Sequence, residues 1–211
     1  STRESEVGVE DSIDYIIDWI DTFIGTTNKD DFCWYDMAVG QRATKLSYLL
    51  CRSINNNQDI QRIEKLIVAA EIHMRELMET KNIAIHSNHG LFQMLGLLTL
   101  GSQLPFLKLS KQAVMQSKEL IIRMLSKHFL TDGMHSEHSP MYHIYMTNFV
   151  SILLKSGLME MPEFSKLAVK AIHAASYLIQ ADGETLNFGD TNSVAVEEKA
   201  IFDVHNIEKA Y

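Results

Sequence analysis

The 211-residue chain has the composition of an ordinary folded protein, with 46% hydrophobic and 22% charged residues. Its formal net charge of −8 argues against nucleic acid as the main partner, because proteins that bind a phosphate backbone usually present a basic face. The longest apolar run, Gly90–Leu100, falls well short of the roughly 20 residues that a membrane span needs. Two cysteines, Cys33 and Cys51, are too few for a disulfide framework and are expected to be packed, inert thiols.

Hydrophobic periodicity predicts seven helices with short connections and almost no strand. We expect a disordered or frayed terminus at 1–10, a helical domain at 11–181 and a connecting segment at 182–211, where Val194–Val196 and Ile201–Phe202 are candidate short strands. The predicted helices lie at about 11–24, 36–54, 60–79, 90–100, 110–129, 140–157 and 163–180.

Two polar clusters stand where helices begin. The first is His86–His89. The second lies within Asp132–Tyr145, where an Asp-Gly turn is followed by Ser139 as a helix cap and Pro140 at the first helical position. We expect the scaffold to bring these two helix entrances together. The Asp-Gly pair recurs 50 residues later at Asp182, which is typical of repeating helical hairpins in stacked or ring-closed arrays.

Four strings, in order along the chain, carry a resemblance to a known family. They are SNHGLFQ at Ser87–Gln93, DGMHSEHSPMYHIY at Asp132–Tyr145, DGETLNFGD at Asp182–Asp190 and, more weakly, WYDMAVGQR at Trp34–Arg42. With them the sequence resembles the N-terminal helical domain of the heparinase II/III-like polysaccharide lyases. The resemblance implies an all-α fold, an incomplete α/α toroid of helical hairpins, followed in full-length members by a β-sandwich domain that this chain lacks.

The resemblance also implies β-elimination of an anionic, uronic-acid-containing polysaccharide without a cofactor. Asn88 and His89 match the pair that neutralises the uronate carboxylate, and Tyr142 matches the tyrosine that acts as acid and base. Since a phenol is a weak base near neutral pH, Tyr142 needs positive surroundings, which the first turn of its helix and His138 or His143 could supply. The family implies a periplasmic or secreted protein, and a cytoplasmic one is left open.

Each of these residues also has an ordinary structural role to weigh. Asn88 could be a helix cap, His89 a buried and satisfied histidine, and Tyr142 an aromatic packed on Tyr145. Arg42 could bind a sulfate or carboxylate of the substrate, or be a solvated or salt-bridged surface arginine.

Three further residues, His135, Glu137 and His138, are candidate substrate-binding residues that could orient Tyr142 or only cap the turn. No metal is predicted, because no zinc motif is present. The histidines weighed as metal ligands are His86, His89, His135 and His138.

Two other functions remain open. One is a non-catalytic glycan-binding or scaffold relative of the same fold. The other is a glycosidase, which needs paired carboxylates, and only Glu137 and Asp190 lie near the motifs. Because a further base or stabilising residue usually comes from the sandwich domain, we expect the 211 residues alone to be inactive.

Overall fold

A computed structural model describes residues 2–25 and 31–191, and within these residues it contains seven α-helices and no β-strand. No helix in this part of the chain is long and apolar enough to cross a membrane. The seven predicted helices are confirmed. They are α1 (Thr2–Phe23), α2 (Asp36–Asn55), α3 (Ile60–Met78), α4 (Asn88–Gln103), α5 (Ser110–His128), α6 (Pro140–Lys155) and α7 (Pro162–Ser176).

Helix α1 begins at Thr2, and the disordered or frayed segment expected at 1–10 stays a prediction. The segment contains no proline, and each residue added to an existing helix gains one hydrogen bond, so helix α1 extends through its polar start. The candidate strands at 194–196 and 201–202 lie outside the described residues. The predicted boundaries at 10 and 181 stay predictions. The chain forms two compact units, Ser1–Ile121 and Ile122–Tyr211, and each is described below by itself.

In the first unit, α2 and α4 pack backbone against backbone. A side chain on Gly40 would clash with the backbone of Phe92 and Gln93, and one on Gly96 would clash with the backbone of Gly40. Towards the other end of the pair, Sγ of Cys51 donates to the carbonyl of Gln103. The two helices are therefore parallel, and their N-termini lie at the same end.

Burial of α4 on nearly all sides confirms what its all-round apolar sequence predicts. Its polar residue Gln93 is buried as well and is satisfied by backbone groups, since it accepts from Ala84 N–H and donates to the Asn82 carbonyl. The buried apolar side chains of α4 are Leu91, Met94, Leu97, Leu98 and Leu100.

In the second unit, a tight turn follows α5. Phe129 and His135 form an isolated antiparallel bridge, and Leu130 N–H donates to the Met134 carbonyl at 2.8 Å. Gly133 has φ +90, a backbone conformation that side-chain-bearing residues rarely adopt. This turn holds His135 against the end of α5.

The same turn recurs 50 residues later, after α7. Ile179 and Thr185 form the equivalent bridge, and Gln180 N–H donates to the Glu184 carbonyl at 2.8 Å. Gly183 has φ +85. The repeated Asp-Gly pair therefore marks a repeated structural unit, as the sequence predicts.

Candidate functional site

The first polar cluster lies at the joined N-termini of α2 and α4. Nδ1 of His89, in the first turn of α4, donates to Oδ2 of Asp36, the first residue of α2, at 2.8 Å. The side chain of His89 is 42% exposed, so the alternative of a buried histidine is wrong. With Nδ1 engaged, Nε2 is the ring atom that can reach a ligand.

The helix cap of α4 is Ser87, whose Oγ accepts from His89 N–H at 3.2 Å. The alternative of Asn88 as the cap is therefore wrong. Asn88 is the first residue of α4, its side chain is half-buried, and no described residue hydrogen-bonds its amide.

Asp36 is a candidate site residue that the sequence did not point to. It has φ +41, an unusual backbone conformation for a residue with a side chain, and its Oδ1 is buried without a partner among the described residues. Strain and an unsatisfied polar atom in one residue are typical of functional sites. The string WYDMAVGQR contains Asp36, but only its end residues were singled out.

Arg42 lies one helical turn and a half further along α2, and its described partners are all uncharged. Its Nε donates to Nε2 of His73 at 2.8 Å, and its Nη2 donates to the Cys33 carbonyl. The guanidinium lies 3.9 Å from the centroid of the Trp19 ring. Arg42 is therefore not the solvated or salt-bridged arginine that was the alternative from sequence, but a cation held by aromatic and neutral groups.

Burial governs the protonation of Arg42 and His73. It lowers the pKa of Arg42 to about 10, which leaves the guanidinium charged at neutral pH. Burial, reinforced by the charge of Arg42, lowers the pKa of His73 to about 3. His73 is therefore neutral, donating from Nδ1 to the Ala69 carbonyl at 2.7 Å and accepting from Arg42.

The second polar cluster lies at the start of α6. Ser139 caps the helix, with Oγ accepting from Tyr142 N–H at 3.4 Å, and Pro140 occupies the first position, as predicted. Thr191 fixes this entrance to the end of the described chain, because its Oγ1 contacts Ser139 Oγ at 3.0 Å and accepts from Met141 N–H at 3.1 Å. The motif strings end at Asp190, so this anchor was missed.

His143 is a structural residue of this cluster. It accepts from His135 N–H at Nδ1 and donates from Nε2 to the Ala171 carbonyl, both at 3.0 Å. Burial lowers its pKa, so His143 is neutral and does not supply the positive charge that Tyr142 was expected to need.

His135 contacts both His143 and Tyr142 and is only 2% exposed. Its Nδ1 accepts from Glu137 N–H at 3.4 Å, which places the ring proton on Nε2, and this buried Nε2 has no partner among the described residues. Burial lowers the pKa of His135 to about 4, with smaller contributions from neighbouring histidines, so the ring is neutral. It lies parallel to the Tyr142 ring, with 6.4 Å between centroids.

Glu137 and His138 are both exposed on the loop before α6, and His138 has φ +55. His128, His135 and Glu137 each place one potential ligand atom within 4.8 Å of the others. A metal there would need a lone pair on His135, and the hydrogen bond at Nδ1 and the proton on Nε2 leave none. This hydrogen-bond pattern fits a proton donor better than a metal ligand.

The structure thus places the predicted residues in two groups. Asn88, His89 and Arg42 belong to the first unit, and the residues of the Asp132–Tyr145 cluster belong to the second. The meeting of the two helix entrances stays a prediction, as do the roles in substrate binding.

Residues 12–200 match the family model described as the heparinase II/III N-terminus. The chain belongs to the heparinase II/III family. No match is found among curated proteins.

Two solved structures share the fold of this heparinase II/III family chain. A heparan sulfate lyase, HepC, from Pedobacter heparinus has a TM-score of 0.69 at 19% identity, over 86% of this chain and 30% of its own. A structure of heparinase III has a TM-score of 0.64 at 18% identity, over 86% of this chain and 29% of its own. The likeness confirms the predicted fold class, an all-α incomplete α/α toroid of helical hairpins. The chain spans about 30% of the length of these structures.

Proposed function

We propose that the protein containing this chain is a polysaccharide lyase that cleaves a uronic-acid-containing polysaccharide, sulfated or not, by β-elimination. The observation that carries the proposal is the pair of His89 and Asp36 beside Asn88 at two adjoining helix N-termini. Helix N-termini favour anions, because their first N–H groups are unpaired. Membership of the heparinase II/III family supports the polysaccharide substrate.

The proton to be removed, on C5 of the uronate, becomes acidic only when the neighbouring carboxylate is neutralised. The Asn88 amide donates to one carboxylate oxygen. His89 in its imidazolium form donates from Nε2 to the other, while Asp36 holds the ring through Nδ1. The two donors stabilise the negative charge that moves onto the carboxylate as the C5 proton leaves.

Tyr142 performs the proton transfers. Its phenolate takes the C5 proton, the C–H electron pair forms the C4–C5 double bond, and the C4–O glycosidic bond breaks. The departing oxygen then takes the proton from the phenol, so the enzyme returns to its starting state. Tyr142 lies in the first turn of α6, at the positive end of the helix dipole.

The remaining predicted residues position these groups. His135, with its proton on Nε2 and its ring parallel to that of Tyr142, orients the phenol from a buried position. Glu137 and His138 are exposed beside it and contact the sugar. Arg42 remains charged at neutral pH and attracts the anionic chain towards the first cluster.

A second domain completes the proposed site. The solved structures that share this fold are more than three times as long as the aligned part, which supports a further domain in the full protein. We assign to that domain, a β-sandwich by resemblance, one more base or stabilising residue. The periplasmic or secreted location is proposed on the same resemblance.

The test uses the full-length protein with heparan sulfate, chondroitin sulfate, hyaluronan and alginate. Elimination produces an unsaturated uronate, which absorbs in the ultraviolet, whereas a glycosidase would release saturated ends. Ultraviolet-absorbing products from at least one polysaccharide support the lyase. Binding without any cleavage would instead identify a glycan-binding relative.

A further inference from the structure

Two exposed aromatic rings stack on each other just before α2. Phe32 is 76% exposed and Tyr35 is 58% exposed, and their rings are parallel within 5°, with 5.7 Å between centroids. Single exposed aromatic residues are common on protein surfaces, but a stacked pair presents more contiguous apolar ring surface than either ring alone. We name this pair the aromatic step.

The backbone beneath the aromatic step is firmly held. Tyr35 N–H donates to the Phe32 carbonyl at 3.2 Å, which closes the turn that carries both rings. Between them, the carbonyl of Cys33 accepts from the guanidinium of Arg42. The two rings are therefore displayed from a fixed turn.

A packed aromatic layer supports this turn from below. The Trp34 ring contacts the rings of Trp19 and His73, with centroid distances of 5.8 and 5.0 Å. Arg42 lies over the Trp19 ring, and no carboxylate among the described residues pairs with it. A positive charge therefore lies against the turn that carries the two rings.

The step adjoins the proposed uronate site. Tyr35 is followed directly by Asp36, the residue that holds His89. Consecutive α-carbons are 3.8 Å apart, so the backbone that carries the Tyr35 ring directly adjoins the residue that holds His89. A sugar chain held by its uronate at His89 would reach the step with a neighbouring sugar.

We propose that the aromatic step is a sugar-binding subsite that stacks on the C–H face of a pyranose ring in the same anionic polysaccharide. This inference rests on the proposed function. One face of a pyranose carries mainly C–H groups, and these are attracted to the electron-rich face of an aromatic ring. The charge of Arg42 behind the step complements a sulfate or carboxylate of that sugar.

The experiment measures binding and turnover of full-length protein with heparan sulfate, chondroitin sulfate, hyaluronan and alginate as probes. The first test variant carries both Phe32→Ala and Tyr35→Ala. The second carries both Phe32→Leu and Tyr35→Leu, which keep apolar bulk without a ring. Tyr35→Phe keeps the ring, and Tyr48→Ala removes an exposed aromatic elsewhere on α2. Titration calorimetry gives Kd, and the ultraviolet assay gives kcat and KM.

Both ring-removing variants should raise Kd and KM about tenfold and leave kcat within about twofold, whereas Tyr35→Phe and Tyr48→Ala should change neither. If the protein cleaves none of the polysaccharides but the ring-removing variants bind more weakly, the sugar-binding subsite is supported and the lyase proposal is refuted. If the protein cleaves a polysaccharide but the ring-removing variants have unchanged Kd and KM, the sugar-binding subsite is refuted and the lyase proposal is not. No binding of any of the four probes would also overturn the subsite.

Discussion

The Asp36 carboxylate lies 2.8 Å from Nδ1 of His89 and joins the first turns of two parallel helices that are far apart in sequence. The contact depends on the close approach of α2 and α4 at Gly40 and Gly96. It also depends on the positive φ of Asp36, which turns this residue away from ordinary helical geometry. The Asp36–His89 contact therefore relies both on close helix packing and on a strained backbone conformation.

Replacing Asp36 with Asn should weaken turnover more than binding. Asn tolerates the positive φ and can still accept from Nδ1, but it carries no charge to stabilise a positive His89 ring. We expect kcat of the full-length protein to fall at least about tenfold, by analogy with the loss of a carboxylate behind a catalytic histidine. Asp18→Asn, an exposed change on α1, serves as the control. Equal activity of the two variants would show that Asp36 has no such role.

Gly40→Ala should destabilise the first unit, because the added methyl group would clash with the backbone of Phe92. The helices must separate to relieve the clash, and we expect the free energy of unfolding to fall by about 1–3 kcal/mol or more. Gly8→Ala, on α1 with open space around it, is the matched control and should be neutral or slightly stabilising. Urea unfolding followed by circular dichroism measures both.

Acid should destabilise the fold through its buried neutral histidines. Burial lowers the pKa of His73 to about 3, and the pKa values of His135 and His143 are lowered too. Below pH about 6.5 these histidines bind protons in the unfolded chain, whereas in the folded chain they stay neutral down to a lower pH. Stability is therefore full above that pH and is lost as the pH falls towards the folded-state values.

The measurement is the free energy of unfolding between pH 7 and pH 4. Each such histidine contributes a slope of up to about 1.4 kcal/mol per pH unit. His73→Gln, whose amide can still accept from Arg42 and donate to the Ala69 carbonyl, should reduce the slope. An unchanged slope in this variant would contradict the assignment of His73 as a buried neutral group.

Thr191→Val should loosen the entrance of α6. The substitution keeps the shape but leaves Ser139 Oγ and Met141 N–H without their partner, at a cost of about 1 kcal/mol. The amide of Met141 should then exchange with deuterium faster, and Thr191→Ser should restore the slower rate. Identical exchange in Thr191→Val and the unsubstituted protein would show that this anchor is not needed.

The helices were predictable because their signals are local. Apolar spacing, the Ser139-Pro140 start and the Asp-Gly turns each act within a few residues, and the repeated turn after α5 and α7 follows from the second Asp-Gly pair. The end of α7 was placed at 180 rather than at Ser176. The backbone there leaves the helix so that Ile179 can pair with Thr185.

The candidate site was only partly predictable, because its supporting contacts join distant residues. Asp36 and His89 are 53 residues apart, and Arg42 contacts His73 on another helix. His143 was expected to be a charged neighbour of Tyr142, but burial and two hydrogen bonds make it neutral. No spacing in the sequence reveals such partners.

The most direct test of the proposed lyase is the rate of unsaturated uronate formation by full-length protein carrying Tyr142→Phe. This change removes the phenol oxygen and keeps the ring that lies against His135. We expect turnover to fall about 10²- to 10⁴-fold with polysaccharide binding retained, while Tyr145→Phe, three residues along α6, stays active. Turnover by Tyr142→Phe at the rate of the unsubstituted protein would contradict it.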